Sequence, residues 1–141
     1  MRERVLPAEL VMATYLWVAL GGALGSVARY WMTNAVAALT GPRFPWGTIL
    51  INVIGSFVIG LFAYLTTPVG RIPVSLDMRA FVLVGICGGY TTFSAFSLQT
   101  LELARSGHWL EAGGNIVLSV VLCLAAVWAG YALADGHLKV D

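Results

Sequence analysis

Gly88-Gly89-Tyr90-Thr91-Thr92-Phe93-Ser94-Ala95-Phe96-Ser97 places two glycines and four threonine and serine hydroxyls in the middle of a hydrophobic run that otherwise reads as a membrane helix. In hydrocarbon an unpaired backbone N–H or C=O costs several kcal/mol, so the chain can loosen there only where it is buried in protein or lines a hydrated site. The stretch therefore predicts a span broken near its centre at Gly88–Gly89, and marks that break as a binding or conduction element.

The composition around this stretch fits that reading. The 141 residues are 59% hydrophobic and 11% charged, whereas soluble domains run near 45–50% and about 25%. An integral membrane protein follows, with room for one domain of four spans. The predicted spans are residues 11–39, 46–65, 81–104 and 110–134. Breaker-rich turns separate them at Gly41-Pro42-Arg43-Phe44-Pro45, at Thr67-Pro68-Val69-Gly70-Arg71-Ile72-Pro73 and at Arg105-Ser106-Gly107-His108. Arg2 and Arg4 before Leu10–Leu20 imitate a secretory signal, but the apolar run continues to Leu39, so a retained first span is expected.

Aromatics near the span ends (Tyr15, Trp17, Trp46, Tyr64, Trp109, Tyr131) suit interfacial belts. Gly21, Gly25 and Arg29 share one helix face, as do Ser56 and Gly60, and small residues at this spacing predict close helix approach. With four spans both termini lie on one side. That side carries Arg2, Arg4, Arg71, Arg79 and Lys139 against Arg43 and Arg105 on the other, a bias that favours cytoplasmic termini.

Function classes are narrowed by what the spans contain. Arg29 is the one basic residue well inside a span, so it should pair, snorkel or face water; an anion-attracting vestibule charge and a simple interfacial anchor both fit. Thr48, Asn52 and Ser56 share a face of the second span, and Asn115, Ser119 and Cys123 form a similar stripe on the fourth. Such groups serve either as interhelical glue or as donors to a solute. Phe93 and Phe96, interleaved with Thr92, Ser94 and Ser97, offer ring edges beside hydroxyl donors, a lining that favours a small anion over a cation. Glu102, Glu111 and Asp77 lie towards span ends, so no carboxylate is available for proton or cation coupling at mid-membrane. Cys87 and Cys123 read as small packing residues, and with only His108 and His137 they make no metal cluster. No nucleophile with a base and no paired carboxylates occur, so an enzyme is not expected.

Gly25-x-x-x-Arg29, Gly47-Thr48-x-x-x-Asn52 and, above all, Gly88-Gly89-x-Thr91-Thr92-Phe93-Ser94-x-Phe96-Ser97 resemble the Fluc (CrcB) family of fluoride channels. The resemblance covers nearly everything from Gly21 to Ala134. It implies a dual-topology protein forming an antiparallel homodimer with two pores in the bacterial cytoplasmic (inner) membrane, exporting fluoride passively. By similarity, Phe93 and Phe96 would flank fluoride with their ring edges. Asn52, Thr48, Ser94, Ser97 and Ser119 would line the path, and Arg29 would sit near the vestibule. The carbonyls of Gly88 and Thr91 from both subunits would hold one structural Na⁺ that is not transported. Four residues depart from the family pattern. Ala95 replaces a common threonine and Gln99 a usual glutamate, while Asn115 and Cys123 replace hydroxyl-bearing residues. The five-to-two charge bias also admits a fixed orientation paired with an oppositely oriented homologue. A four-span proton-coupled cation or drug exporter and a non-transporting membrane assembly protein are the rival readings.

Overall fold

The computed structural model describes residues 8–70 and 72–136. Arg2, Arg4, Arg71 and Lys139 from the charge comparison, and His137, lie outside the described residues. Helix α1 runs Ala8–Thr40 and α2 runs Trp46–Leu65. The third hydrophobic rod is composite: α3 (Leu76–Ala80), a π-helical segment Phe81–Cys87, and α4 (Gly88–Tyr90) follow one another, then α5 (Phe93–Arg105) resumes after two extended residues. Helix α6 is Trp109–Asp135. No strand occurs among the described residues.

Local chemistry sets these boundaries. Gly41 and Gly136 adopt left-handed φ of 79° and 83° and end α1 and α6, conformations that glycine reaches without a Cβ penalty. Ser75 opens α3 by accepting from the Met78 N–H at 3.1 Å. The last carbonyls of α2 receive a cation: Arg79 Nη1 donates to Thr66 O at 2.7 Å and to Thr66 Oγ1 at 2.9 Å.

Among the described residues three helices are long and apolar enough to cross a membrane: Trp46–Leu65, the composite Leu76–Arg105, and Trp109–Asp135. The 33 residues of α1 reach about 50 Å at about 1.5 Å per residue. Large apolar side chains stand exposed on every long helix, from Val27 and Leu39 to Val84, Leu110 and Trp128.

The helices pack as two pairs. α2 lies along α6, and α1 lies along the π segment and α4; α5 folds onto α6. Both long seams are backbone against backbone. A Cβ on Gly21 would come within 2.5 Å of Phe81 O, and one on Gly25 within 2.3 Å of Ile86 O. From the opposite side, a Cβ on Gly89 would meet Gly22 O at 2.5 Å, and one on Gly85 would meet Gly21 Cα at 2.9 Å. Two small-xxx-small ridges thus face each other. In the second seam, Gly60 and Gly130 sit equally close to Val127 O and Phe57 O.

These contacts correct one expectation. Gly88 and Gly89 are helical, and the extended residues are Thr91 (ψ 158°) and Thr92 (φ −153°, ψ 112°). Gly89 is small so that α1 can approach, and Gly88 has nothing within 4 Å of where a Cβ would stand. The glycine pair serves packing and openness, and the interruption comes two residues later.

Candidate functional site

Two extended residues inside a hydrophobic rod free backbone groups that must be paired elsewhere. Asn52 on α2 takes both groups of Thr92: its Oδ1 accepts from the Thr92 N–H at 2.7 Å, and its Nδ2 donates to Thr92 O at 3.1 Å. Thr92 then caps α5, its hydroxyl accepting from the Ala95 N–H at 3.1 Å. Thr91 still closes the preceding helix through its N–H to Cys87 O at 2.9 Å, and its hydroxyl donates to the same carbonyl at 2.8 Å.

These bonds have a consequence for two carbonyls. In an unbroken helix the Thr92 N–H would serve Gly88 O and the Ala95 N–H would serve Thr91 O. Here Asn52 Oδ1 takes the first donor and Thr92 Oγ1 takes the second. Thr91 O keeps one long contact, from Arg29 Nη1 at 3.4 Å. The Arg29 guanidinium therefore turns towards the interruption; the carbonyl of Arg29 accepts from Thr33 Oγ1 at 2.9 Å.

Beside the interruption lies a groove of about 420 Å³ between α2, α5 and α6. Asn52, Thr91, Phe93, Phe96 and Ser119 all line it, so five residues picked from three separate spans meet at one place. No lining residue carries a charge. The phenyl rings stand 5.2 Å apart and tilted by 50°. They differ in setting: Phe96 is 8% exposed and Phe93 is 77% exposed.

Ser56, Thr92 and Cys123 also line the groove, whereas Thr48, Ser94, Ser97, Gly88 and Arg29 lie outside its lining. Thr48 is buried one turn from Asn52. Ser94 Oγ lies 3.2 Å from Thr92 Oγ1, and Ser97 Oγ donates to Phe93 O at 2.9 Å. Arg29 reaches Thr91 O from α1, and Gly88 stands in α4 just before the interruption. Sequence reasoning missed Gly55, whose absent side chain lets Thr91 pack on α2, a Cβ there standing 2.2 Å from Thr91 Cγ2. Cys123, read both as a small packing residue and as part of the fourth-span polar stripe, lines the groove one turn beyond Ser119. The polar stripe Asn115–Ser119–Cys123 was the available signal. Among the described residues no cluster of three His, Cys, Asp or Glu is placed to hold a metal ion.

Known proteins resemble the chain across this same region. A family model described as CrcB-like protein, Camphor Resistance (CrcB), matches residues 16–131. A protein of Methylocella silvestris named fluoride-specific ion channel FluC is 59% identical over 120 residues, covering 85% of this chain and 92% of that protein. One of the same name from Opitutus terrae is 58% identical over 125 residues, with 89% and 95% covered. Fluoride-specific ion channel FluC 2 of Bradyrhizobium diazoefficiens is 48% identical over 127 residues, with 90% and 93% covered.

Proposed function

The chain belongs to the CrcB family, and from that premise we propose that it is a fluoride-selective ion channel that lets fluoride leave the cell passively. It is a multi-pass membrane protein and not an enzyme. The observation that carries the reading is the uncharged groove in which Asn52, Thr91, Phe93, Phe96 and Ser119 converge beside the interrupted rod. Fluoride is small and strongly hydrated, so selecting it requires closely spaced donors that replace water in a narrow passage. Asn52 spends one amide proton on Thr92 O, and the second is the donor it has to offer to an ion. The positive edges of Phe93 and Phe96 extend this surface. A series of weak sites permits exit as readily as entry. Fluoride that enters as its neutral acid and ionises inside is trapped there, and such a path releases it.

The finer architecture is part of the same proposal. All four long segments span the bacterial inner membrane, and two chains pair antiparallel. The exposure of Phe93, Val84, Leu98 and Leu101 along the third rod supports a partner chain on that face. A relative whose name carries the number 2 keeps open an oppositely oriented homologue as that partner. The carbonyls of Gly88 and Thr91 suit a structural Na⁺, because their helical donors are diverted and carbonyl oxygen is a fitting ligand for a hard cation. When bound, that ion supplies positive charge that ties carbonyls of two chains together. Gly88, with open space at its side, and Thr91 would hold it.

Purified protein in lipid vesicles loaded with fluoride or with chloride tests the function. Rapid fluoride efflux with chloride retained is expected; equal fluxes of the two anions would overturn the reading.

A further inference from the structure

The connection from α2 to α3 has its polarity inside out. Every described polar side chain from Thr66 to Arg79 is bonded within the chain. Thr66 Oγ1 donates to Phe62 O at 2.7 Å, and Thr67 Oγ1 donates to Tyr64 O at 2.8 Å. Arg79 turns back onto Thr66, Asp77 accepts from Thr14 Oγ1 on α1, and Ser75 caps α3. What faces outward is apolar: Ile72 and Met78 are exposed, Val69 by 81% and Leu76 by 75%. The 41–45 connection shows the ordinary arrangement, with Arg43 reaching across the surface to Glu111 Oε1 at 2.9 Å.

The backbone of the α2–α3 connection is also prepared for a place poor in water. The N–H groups of Thr66, Thr67, Gly70 and Ile72 donate to Phe62, Tyr64, Thr67 and Leu65 carbonyls at 2.8–3.2 Å. Pro68 and Pro73 have no N–H to satisfy. An exposed apolar cluster marks contact with a membrane or with another protein, and its surroundings decide between the two. Aromatic side chains that favour the membrane–water boundary stand around it. Tyr64 pairs with Tyr131 at 4.9 Å just before the connection, and Trp17 packs on Phe81 at 5.6 Å just after α3. Tyr15, next to the Thr14 that holds Asp77, is exposed. The 30 residues Leu76–Arg105 reach about 45 Å at about 1.5 Å per residue, against about 40–45 Å for a bilayer with its headgroup regions. The start of this rod therefore stands at headgroup level.

We infer that Val69, Ile72, Leu76 and Met78 form a lipid-docking surface, which sinks into the boundary between phospholipid headgroups and acyl chains and sets the depth at which the third rod begins. Amphipathic segments bind this boundary through buried apolar area. Here the polar half of the amphipathic pattern is supplied to α1 and α2 and is not left for water. The inference needs the membrane assignment and does not depend on which ion the chain conducts.

Val69 or Leu76 is replaced by p-acetylphenylalanine and coupled to a nitroxide, which leaves Cys87 and Cys123 in place. In vesicles of phosphatidylcholine and phosphatidylglycerol, power-saturation EPR compares collisions with O2, which concentrates among acyl chains, and with a water-soluble nickel chelate. Scaled to the same nitroxide free in buffer, the O2-to-nickel ratio rises roughly fivefold or more at both positions, as a depth of about 5–10 Å in the boundary requires. A ratio equal to that in buffer at either position puts the connection in water and overturns the inference. Shielding from both reagents reveals a protein partner over the patch and overturns it as well. Should one labelled protein fail to insert, the other decides alone. Wild-type protein supplies a check free of variants: phosphatidylcholine with a diazirine at the head of its acyl chain leaves adducts within residues 69–78, and adducts on α2 with none in that segment would overturn the inference.

Discussion

Gly55→Ala tests whether the interruption is held open by contact with α2. The added Cβ would stand 2.2 Å from Thr91 Cγ2, about 1.3 Å inside the roughly 3.5 Å at which carbon atoms rest. Thr91 cannot swing its methyl away cheaply, because its hydroxyl is fixed on Cys87 O at 2.8 Å and that bond contributes about 1 kcal/mol. The next contacts, Tyr90 Cδ1 at 3.5 Å and Thr91 Cβ at 3.7 Å, are ordinary. The strain is therefore confined to one methyl group, and overpacking of this kind costs about 1–3 kcal/mol. If it falls on the conducting arrangement, fluoride efflux drops about 5- to 150-fold. Thr91→Ser deletes Cγ2 and keeps the hydroxyl, so the double variant Gly55→Ala with Thr91→Ser regains most of the loss. Efflux from vesicles and thermal melting in detergent, read on all four members of the cycle, measure the coupling. A Gly55→Ala protein that melts and conducts like wild type, or a double variant no better than the single one, would refute the reasoning.

Four further outcomes rest on the bonds and contacts above. Asn52→Leu strands the N–H and C=O of Thr92 at about 1–3 kcal/mol each, so efflux falls at least tenfold and melting drops. Gly25→Ala drives a Cβ to 2.3 Å from Ile86 O and lowers thermal stability sharply, because backbone cannot rotate aside. Gly113→Ala, with nothing within 4 Å, leaves stability unchanged or raises it by up to about 1 kcal/mol; equal melts for these two alanines would contradict the seam described here. Glu111→Gln breaks the pair with Arg43, whose side chain is 74% exposed, so melting moves by no more than about 1 kcal/mol, and a collapse of folding would show that the pair carries far more.

The membrane class and the all-helical fold were legible because they depend on bulk hydropathy and run length. The pairing of α1 with the third rod was half legible: Gly21 and Gly25 announced a close contact, and Gly85 and Gly89 repeat that spacing on the other side. The same repetition misled the placement of the break. A glycine pair reads locally as a loosened helix, yet Gly89 is there for the carbonyl of Gly22. What opens the rod at Thr91–Thr92 is an amide forty residues away in sequence, which no local propensity reveals. Short hydroxyls raised a related difficulty. Ser97 and Ser119 look alike in sequence, but Ser97 folds back onto its own helix while Ser119 faces the groove. Serine can bond the carbonyl four residues earlier, and that choice is settled by tertiary neighbours.

The clasp of Asn52 on Thr92 also bears on how the protein works over time. A carrier that alternates between inward and outward forms needs two conformations of similar free energy. Re-coiling the third rod would return the Thr92 N–H to Gly88, but it would strip both partners from the Asn52 amide. Two abandoned polar groups at about 1–3 kcal/mol each make that second form rare. Conduction along the groove then requires no re-coiling of this rod, and the direction of flow is left to the concentration difference across the bilayer.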